Sequence, residues 1–256
     1  MALTKVIGDG LGGTNDLTVD TDTLIVDSTN DKVGINVASP NNYYSKELVV
    51  GIPDNGGITI LNSDTTHAGC IMFADGTGTS AYRGQIVYDH NDDSIGMWTA
   101  ATNAMKIDST GAMTKPNQPS FQVRKSADQN NVSASDSVIT VSFDTEVFDV
   151  NSDFASNTFT APVTGKYFLS INVYLAQIDT AAGYILIGIR TSNRDYYRIF
   201  DPNFSADVNY YGMNFSVLAD LDASDTAFIW WQSNGGTAQV DIIAANGTQF
   251  QGCLLS

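Results

Sequence analysis

Between Lys166 and Leu175 the sequence alternates. Tyr167, Leu169, Ile171, Val173 and Leu175 recur at every second place, with Phe168, Ser170, Asn172 and Tyr174 between them. A period of two sustained over this span puts the first set on one face of a strand, where a helix would scatter it around its axis. Just upstream, Pro162-Val-Thr-Gly165 reads as a turn, the proline fixing φ and the glycine free to take a positive φ. A short strand ending at Ala161 therefore turns into a long, half-buried one, and a strand with one greasy face needs a second layer to cover it. The chain beyond Pro119 offers material for two sheets. Strands are expected at 121–124, 138–143, 147–150, 158–160, 165–176, 183–191, 196–200, 210–218, 226–232, 238–244 and 248–255, and no segment there shows a helical period with caps. The run Tyr184-Ile-Leu-Ile-Gly-Ile189 is apolar on both faces. In a sandwich with one wet side that points to a subunit interface, with Tyr184, Leu186, Ile187 and Ile189 as its candidates. Trp230 and Trp231 must face opposite sides of their strand, one toward the core and the other toward a rim or interface; Trp230 is taken as the interface candidate.

The same region carries a resemblance. Phe159-Thr-Ala-Pro162 followed by Tyr167-Phe168 resembles the signature of the complement 1q globular-head family, a branch of the tumour-necrosis-factor-like jelly rolls. Ser142 to Asn151 is similar to that family's early strand and asparagine. Leu218 to Trp231 is similar to its segment of leucine, acidic turn and hydrophobic strand, and Phe250-Gln-Gly-Cys-Leu-Leu255 to its closing strand. The similarity runs from Phe121 to Ser256, with departures. Ser156-Asn157 stands where a glycine is usual, although asparagine tolerates the left-handed region. Ser224 replaces a glycine, and Cys253 replaces an aromatic residue. The resemblance implies an all-β fold: a C-terminal jelly-roll sandwich over 117–256, associating as a homotrimer.

Composition removes several function classes. The 256 residues carry 28 acidic and 12 basic side chains, a net charge of −16. Such a surface repels nucleic acid, whose binding rests on phosphate neutralisation by Lys and Arg, and it disfavours anionic membranes. No apolar run has membrane length, and Met1 to Gly10 has one Lys and no long apolar run, so neither membrane insertion nor a signal peptide is expected. The two cysteines, Cys70 and Cys253, form no disulfide framework and no metal spacing, and read as small buried side chains.

Residues 1–45 are rich in Gly, Asp, Thr and Asn, with short strands expected at 17–19, 24–26 and 32–37. Ile25 to Ile35 reads as a hairpin turning at Thr29 to Lys32. A weak repeat follows: Ile25-Val26 and Asn30-Asp31 recur as Ile86-Val87 and Asn91-Asp92, Val33-Gly34-Ile35 as Ile95-Gly96-Met97, and Val26-Asp-Ser-Thr-Asn30 as Ile107-Asp-Ser-Thr-Gly111. Short hairpins that cannot bury their faces alone are expected to stack or intertwine. Asp27 to Ile35 with Ser39-Pro40 and Leu48-Val-Val50, and likewise Met105 to Gly111, resemble the shaft repeats of bacteriophage tail fibres and related virion appendages. The expected organisation is attachment and a first shaft repeat in 1–45, further β-rich shaft in 46–116 and the jelly-roll head in 117–256. Lys115-Pro-Asn-Gln-Pro119 suits an extended linker between the last two.

No catalytic constellation stands out. His67 and His90 lie in no nucleophile elbow and no HExxH spacing, so no catalytic residue is expected. Asp89 to Asp93 and Asp220 to Asp225 are acidic turns to which calcium could bind, but no ligand set is assignable and solvated turns are the preferred reading. Gly8 to Gly13 does not follow a strand and open a helix, which leaves a tether and not a phosphate loop. The informative patch is Arg190 to Tyr211. Arg194, Tyr196, Tyr197, Arg198, Tyr210 and Tyr211 are the candidates for receptor contact, because Tyr and Arg combine large area with hydrogen-bonding tips. The competing reading packs Tyr197 and Phe200 in the jelly-roll core and pairs Arg194 with a neighbouring carboxylate.

The expectation is a structural virion appendage, a tail fibre or spike located in the virion. Its N-terminal part would meet other tail proteins, and its trimeric head would bind a host-surface glycan or protein. Two alternatives stay open: a decoration, connector or baseplate component whose head binds another virion protein, and a secreted lectin or signalling ligand.

Overall fold

A computed structural model describes residues 17–19, 23–27, 29–44, 47–52, 54–132, 137–236, 240–244 and 247–256. They fall into two compact units, one within residues 1–63 and one within 64–256. The glycine-rich Gly8 to Gly13 lies outside the described residues.

In the first unit, β1 (Leu17–Val19), β2 (Leu24–Asp27) and β3 (Lys32–Ile35) form an antiparallel meander, and β4 (Leu48–Val50) adds to β3 in parallel. The β2–β3 turn is held by Asp27, whose Oδ1 accepts the backbone N–H of Thr29 at 3.1 Å and of Asn30 at 3.0 Å, and Asp31 takes a φ of 55°. The loop after β3 folds over one face of this sheet: a Cβ on Gly34 would stand 2.8 Å from the Val37 carbonyl oxygen and 3.5 Å from the Pro40 ring. The opposite face presents Leu24, Val26, Val33, Ile35, Leu48 and Val50.

The second unit opens with a five-stranded antiparallel meander: β5 (Ala68–Phe73), β6 (Gly84–Asp89), β7 (Ser94–Thr99), β8 (Thr102–Ile107) and β9 (Met113–Thr114). Its β6–β7 hairpin repeats β2–β3 residue for residue. Leu24 pairs Ile35 as Ile86 pairs Met97, Val26 pairs Val33 as Tyr88 pairs Ile95, and Asp27 pairs Lys32 as Asp89 pairs Ser94. Asp89 accepts the Asn91 N–H at 2.9 Å, and Asp93 has a φ of 51°. The repeat therefore begins one residue away from the sequence match: Leu24, and not Ile25, is the counterpart of Ile86. That slip matters because a one-residue shift exchanges the two faces of a strand.

Pro116 to Gln118 is a turn, not an extended link. Gln118 N–H donates to the Lys115 carbonyl at 3.1 Å, Gln118 Nε2 to Leu254 O at 2.9 Å, and Asn117 Nδ2 to Asn103 O at 3.0 Å. These bonds tie the meander's last hairpin to the closing strand of the chain.

Beyond that joint come β10 (Ser120–Arg124), β11 (Gln129–Val132), β12 (Ile139–Thr140), β13 (Thr145–Asp149), β14 (Phe154–Ala155), β15 (Thr158–Thr160), β16 (Gly165–Ala176), β17 (Ala182–Thr191), β18 (Asp195–Phe200), β19 (Tyr211–Leu221), β20 (Thr226–Gly235), β21 (Val240–Ile242) and β22 (Gln249–Leu254). One sheet runs β13-β10-β22-β16-β19, with β21 along the end of β16 and β11 beside β21. The other runs β14-β15-β20-β17-β18, with β12 beside β20. Every pairing is antiparallel, and the order β10-β22-β16-β19 over β15-β20-β17-β18 is that of a jelly roll.

The core follows from alternation. Tyr167, Leu169, Ile171, Val173 and Leu175 of β16 all point inward, facing Ile185, Ile187 and Ile189 of β17 and Ile229 and Trp231 of β20. Phe121 stacks on Phe159 at 4.6 Å and meets Phe250 edge-on at 4.9 Å. Ile187 and Ile189, expected at a subunit face, are thus enclosed within one chain, because odd positions of β17 share the inward face. Tyr167 satisfies its hydroxyl by donating to the Val163 carbonyl at 2.7 Å. The departures at the two glycine positions of the resemblance fall where the backbone is left-handed, Ser156 with φ 51°, Asn157 67° and Ser224 77°, while Cys253 lies in the extended strand β22. Asn157 adds a bond, its Oδ1 accepting the Phe143 N–H at 2.7 Å. Every member of the large core comes from Phe121 onward; upstream, the buried apolar side chains among the described residues are Ile25, Val37 and Pro40.

Two outcomes are expected. Trp231→Ala removes a fully buried indole and should lower stability by about 3–5 kcal/mol in a urea titration; an unchanged midpoint contradicts this core. Several carboxylates are held below the ordinary value of 3.8 by side-chain hydrogen bonds: Asp27 by Asn30, Asp64 by His67, Asp92 by Lys106, Asp108 by Thr110 and Asp144 by Ser126. A depressed folded-state pKa contributes stability that is present above the unfolded value and is lost as pH falls through the folded one. The melting temperature should therefore drop as pH falls from about 5 toward about 2, and a flat profile there would count against these turns.

Candidate functional site

The β17–β18 hairpin turns at Thr191 to Arg194, where Thr191 N–H donates to the Arg194 carbonyl at 2.9 Å and Arg194 N–H to Thr191 Oγ1 at 3.0 Å. β18 is the last strand of its sheet, and β19 is the last strand of the other, so the two edges lie along an open seam of the sandwich. Alternation along β18 sends Tyr196, Arg198 and Phe200 toward the seam and Asp195, Tyr197 and Ile199 away from it. Tyr196 and Phe200 pack against the core, and burial pushes the Tyr196 phenol up from its ordinary value. Tyr197 and Ile199 remain 54% and 60% exposed.

The three arginines have different fates. Arg190 forms a two-pronged ion pair with Asp195, at 2.7 and 2.8 Å, while its guanidinium lies 5.1 Å from the Trp230 ring centroid. Arg194 pairs with Asp220 at 3.0 Å, which is the competing reading for that residue. Arg198 sits over the Phe215 ring at 5.6 Å and, among the described residues, has no carboxylate partner. Arg198, Tyr196, Phe215 and Val217 line a cleft of about 310 Å³ on the seam.

The aromatic residues divide likewise. Tyr211 stacks on Phe200 at 5.1 Å and meets the tilted Phe204 ring at 6.1 Å, so it supports the loop and offers little to a ligand. Tyr210 stacks on Tyr174 at 5.6 Å yet is 68% exposed. Of the six sequence candidates, the structure leaves Tyr197, Arg198 and Tyr210 open to an outside partner. It commits Tyr196 and Tyr211 to packing and Arg194 to Asp220. Ile199, not among the sequence candidates, shares the open face of Tyr197; strict alternation from Tyr197 would have found it.

Trp230 and Trp231 do split across β20. Trp231 enters the core, and Trp230 lies on the outer face against Gly188, with Tyr197 edge-on at 6.0 Å. A Cβ at position 188 would collide with the Trp230 indole and stand 2.7 Å from the Tyr196 carbonyl oxygen. Trp230 is thereby covered by its own chain to 4% exposure and has almost no area to give a neighbouring subunit. Tyr184 and Leu186 stay half-buried on that outer face.

The acidic turns are used locally. Asp92 pairs with Lys106 at 2.6 Å, Asp93 accepts the Tyr88 hydroxyl at 3.0 Å, and Asp225 accepts the Asp222 N–H at 2.9 Å. Among the described residues no three of His, Cys, Asp and Glu gather as a metal site. His67 pairs with Asp64 at 2.6 Å, His90 packs edge-on to Tyr88, and Cys70 and Cys253 are unpaired and half-buried.

No protein-family model and no curated protein matches this sequence. Among solved structures, the chain is similar to the globular domain of zebrafish complement 1qA protein, with a TM-score of 0.40 and 18% identity over 54% of this chain and 98% of that one. It is also similar to murine APRIL, with a TM-score of 0.37 and 13% identity over 54% and 99%. By their own strand order, residues 120–256 form a jelly-roll sandwich.

Proposed function

We propose that this protein is a homotrimeric virion appendage, of the tail-fibre or spike kind, whose jelly-roll head binds a host-surface receptor through the β18 edge. The observation that carries the reading is Arg198: a guanidinium that has no carboxylate partner among the described residues, in a chain of net charge −16, with exposed Tyr197 and Ile199 beside it on the same edge strand. Arginine and tyrosine with spare area and spare donors are what binding hot spots are made of. The aliphatic Ile199 among them favours a protein receptor over a bare glycan. Trimer formation is supported by the middle of the outer face of β10-β22-β16-β19, between Arg124 at one end and Lys166 and Asp220 at the other, where Gln122, Gln251, Ser170 and Ser216 carry no charge and are hydrogen-bonded in pairs, Gln122 to Gln251 at 2.8 Å and Ser216 to Ser170 at 2.9 Å. Identical acidic chains meet most easily where neither brings charge. Three weak sites on one particle then act together through effective concentration, and no catalytic step is required.

The test is adsorption. Purified full-length protein should compete with virus for host cells. Tyr197→Ala and Arg198→Ala should each weaken that competition about tenfold, the loss of about 1.4 kcal/mol expected of a moderate hot spot. Competition by neither the parent nor its variants contradicts the receptor reading. Binding to virions but not to cells would put the head on another virion protein, as in a connector or baseplate part.

A further inference from the structure

The β5–β9 meander has two unlike faces. On one, Gly96 is covered by the Trp98 indole, whose Nε1 would lie 3.0 Å from a Cβ there, and Lys106 pairs with Asp92. The pairing register sends Ile71, Phe73, Tyr88, Ile95, Met97 and Met113 to the other face, where they are between 37% and 58% exposed. The strands themselves send no charged side chain to that face; at its rim the Asp93 carboxylate accepts the Tyr88 hydroxyl at 3.0 Å. Six large side chains open by about half leave on the order of 500 Å² of contiguous apolar surface, the upper end of what a monomer carries.

We propose that this face is a self-association surface, occupied by the same face of other copies of this chain. Two such faces would bury about 1,000 Å², the lower bound for a biological interface, and the second apolar sheet adds to it. Charge points to the same occupant. Chains of net charge −16 repel one another, and a face whose strands bring no charge, with Asp93 at its rim, is where they can approach at the least cost. The repeat supplies a second, separate observation. The β1–β4 sheet again covers its glycine face, at Gly34, with its own chain and turns Leu24, Val26, Val33, Ile35, Leu48 and Val50 to the opposite side. One hairpin design thus occurs twice, each time with one face finished internally and one left apolar. The proposal rests on the trimeric reading of the head only for the number of copies.

The experiment uses the full chain with Cys70 and Cys253 changed to Ser. Met97→Cys places a thiol on the apolar face, and Met72→Cys places one of similar exposure on the opposite face. Leu218→Cys probes the outer face of the head. Met97→Cys should form covalent multimers with short and long bifunctional maleimides and should react with a monofunctional maleimide about tenfold more slowly than Met72→Cys, as expected for a site opened only by dissociation. Met97→Cys that labels as fast as Met72→Cys and does not cross-link overturns the proposal, as does protection without cross-linking, which would mean that the chain's own segments cover the face. Cross-linking from Leu218→Cys but not from Met97→Cys would leave the trimeric head standing and remove only this surface. Cross-linking from neither would remove both.

Discussion

The packing of β16 against β17 and β20 is the constraint from which the rest follows. Five alternate side chains of one long strand close against Ile185, Ile187, Ile189, Ile229 and Trp231, and a single chain completes that core without help. Nothing comparable exists before Phe121 among the described residues. There the sheets are one layer thick, so each can cover at most one face with its own loops and indoles. The chain therefore combines a self-sufficient sandwich with sheets that are finished only on one side, and the difference is a matter of layers and not of strand quality.

Because the sandwich is complete, the residues it does not use can serve recognition. β18 is short, lies at an edge and has half its side chains turned away from the seam. Tyr197 and Ile199 contribute little to the core, and Arg198 is held by an aromatic ring instead of a carboxylate. Arg190 and Arg194, by contrast, are neutralised by Asp195 and Asp220 and fix the hairpin that presents them. The same short stretch thus supplies both the scaffold and the spare groups, and the division follows from which carboxylates come within reach.

Much of this was legible in the residues. The bounds of β15 and β16 coincide with the alternation and the Pro162–Gly165 turn, and Asn157 and Ser224 sit in the left-handed region where the family pattern has glycine. What escaped the sequence has physical causes. β11, Gln129–Val132, is polar and owes its strand to pairing with distant β21, which local propensity cannot report. The two-faced apolar run in β17 looked like a subunit contact, because nothing local reveals that Trp230 would lie over Gly188 and cover the outer face. The hairpin repeat was visible, but its frame was not: Asp27 and Asp89 each set the turn, and only the turn decides whether Leu24 or Ile25 matches Ile86. Of the site, Arg194 was ambiguous between receptor and carboxylate until Asp220 was placed beside it.

The proposed function requires three copies of the chain to act as one unit. The most direct measurement is the native mass of the full-length protein by multi-angle light scattering across micromolar concentrations. Three chain masses, unchanged on dilution, is the result expected; a single chain mass that persists at the highest concentration would contradict it.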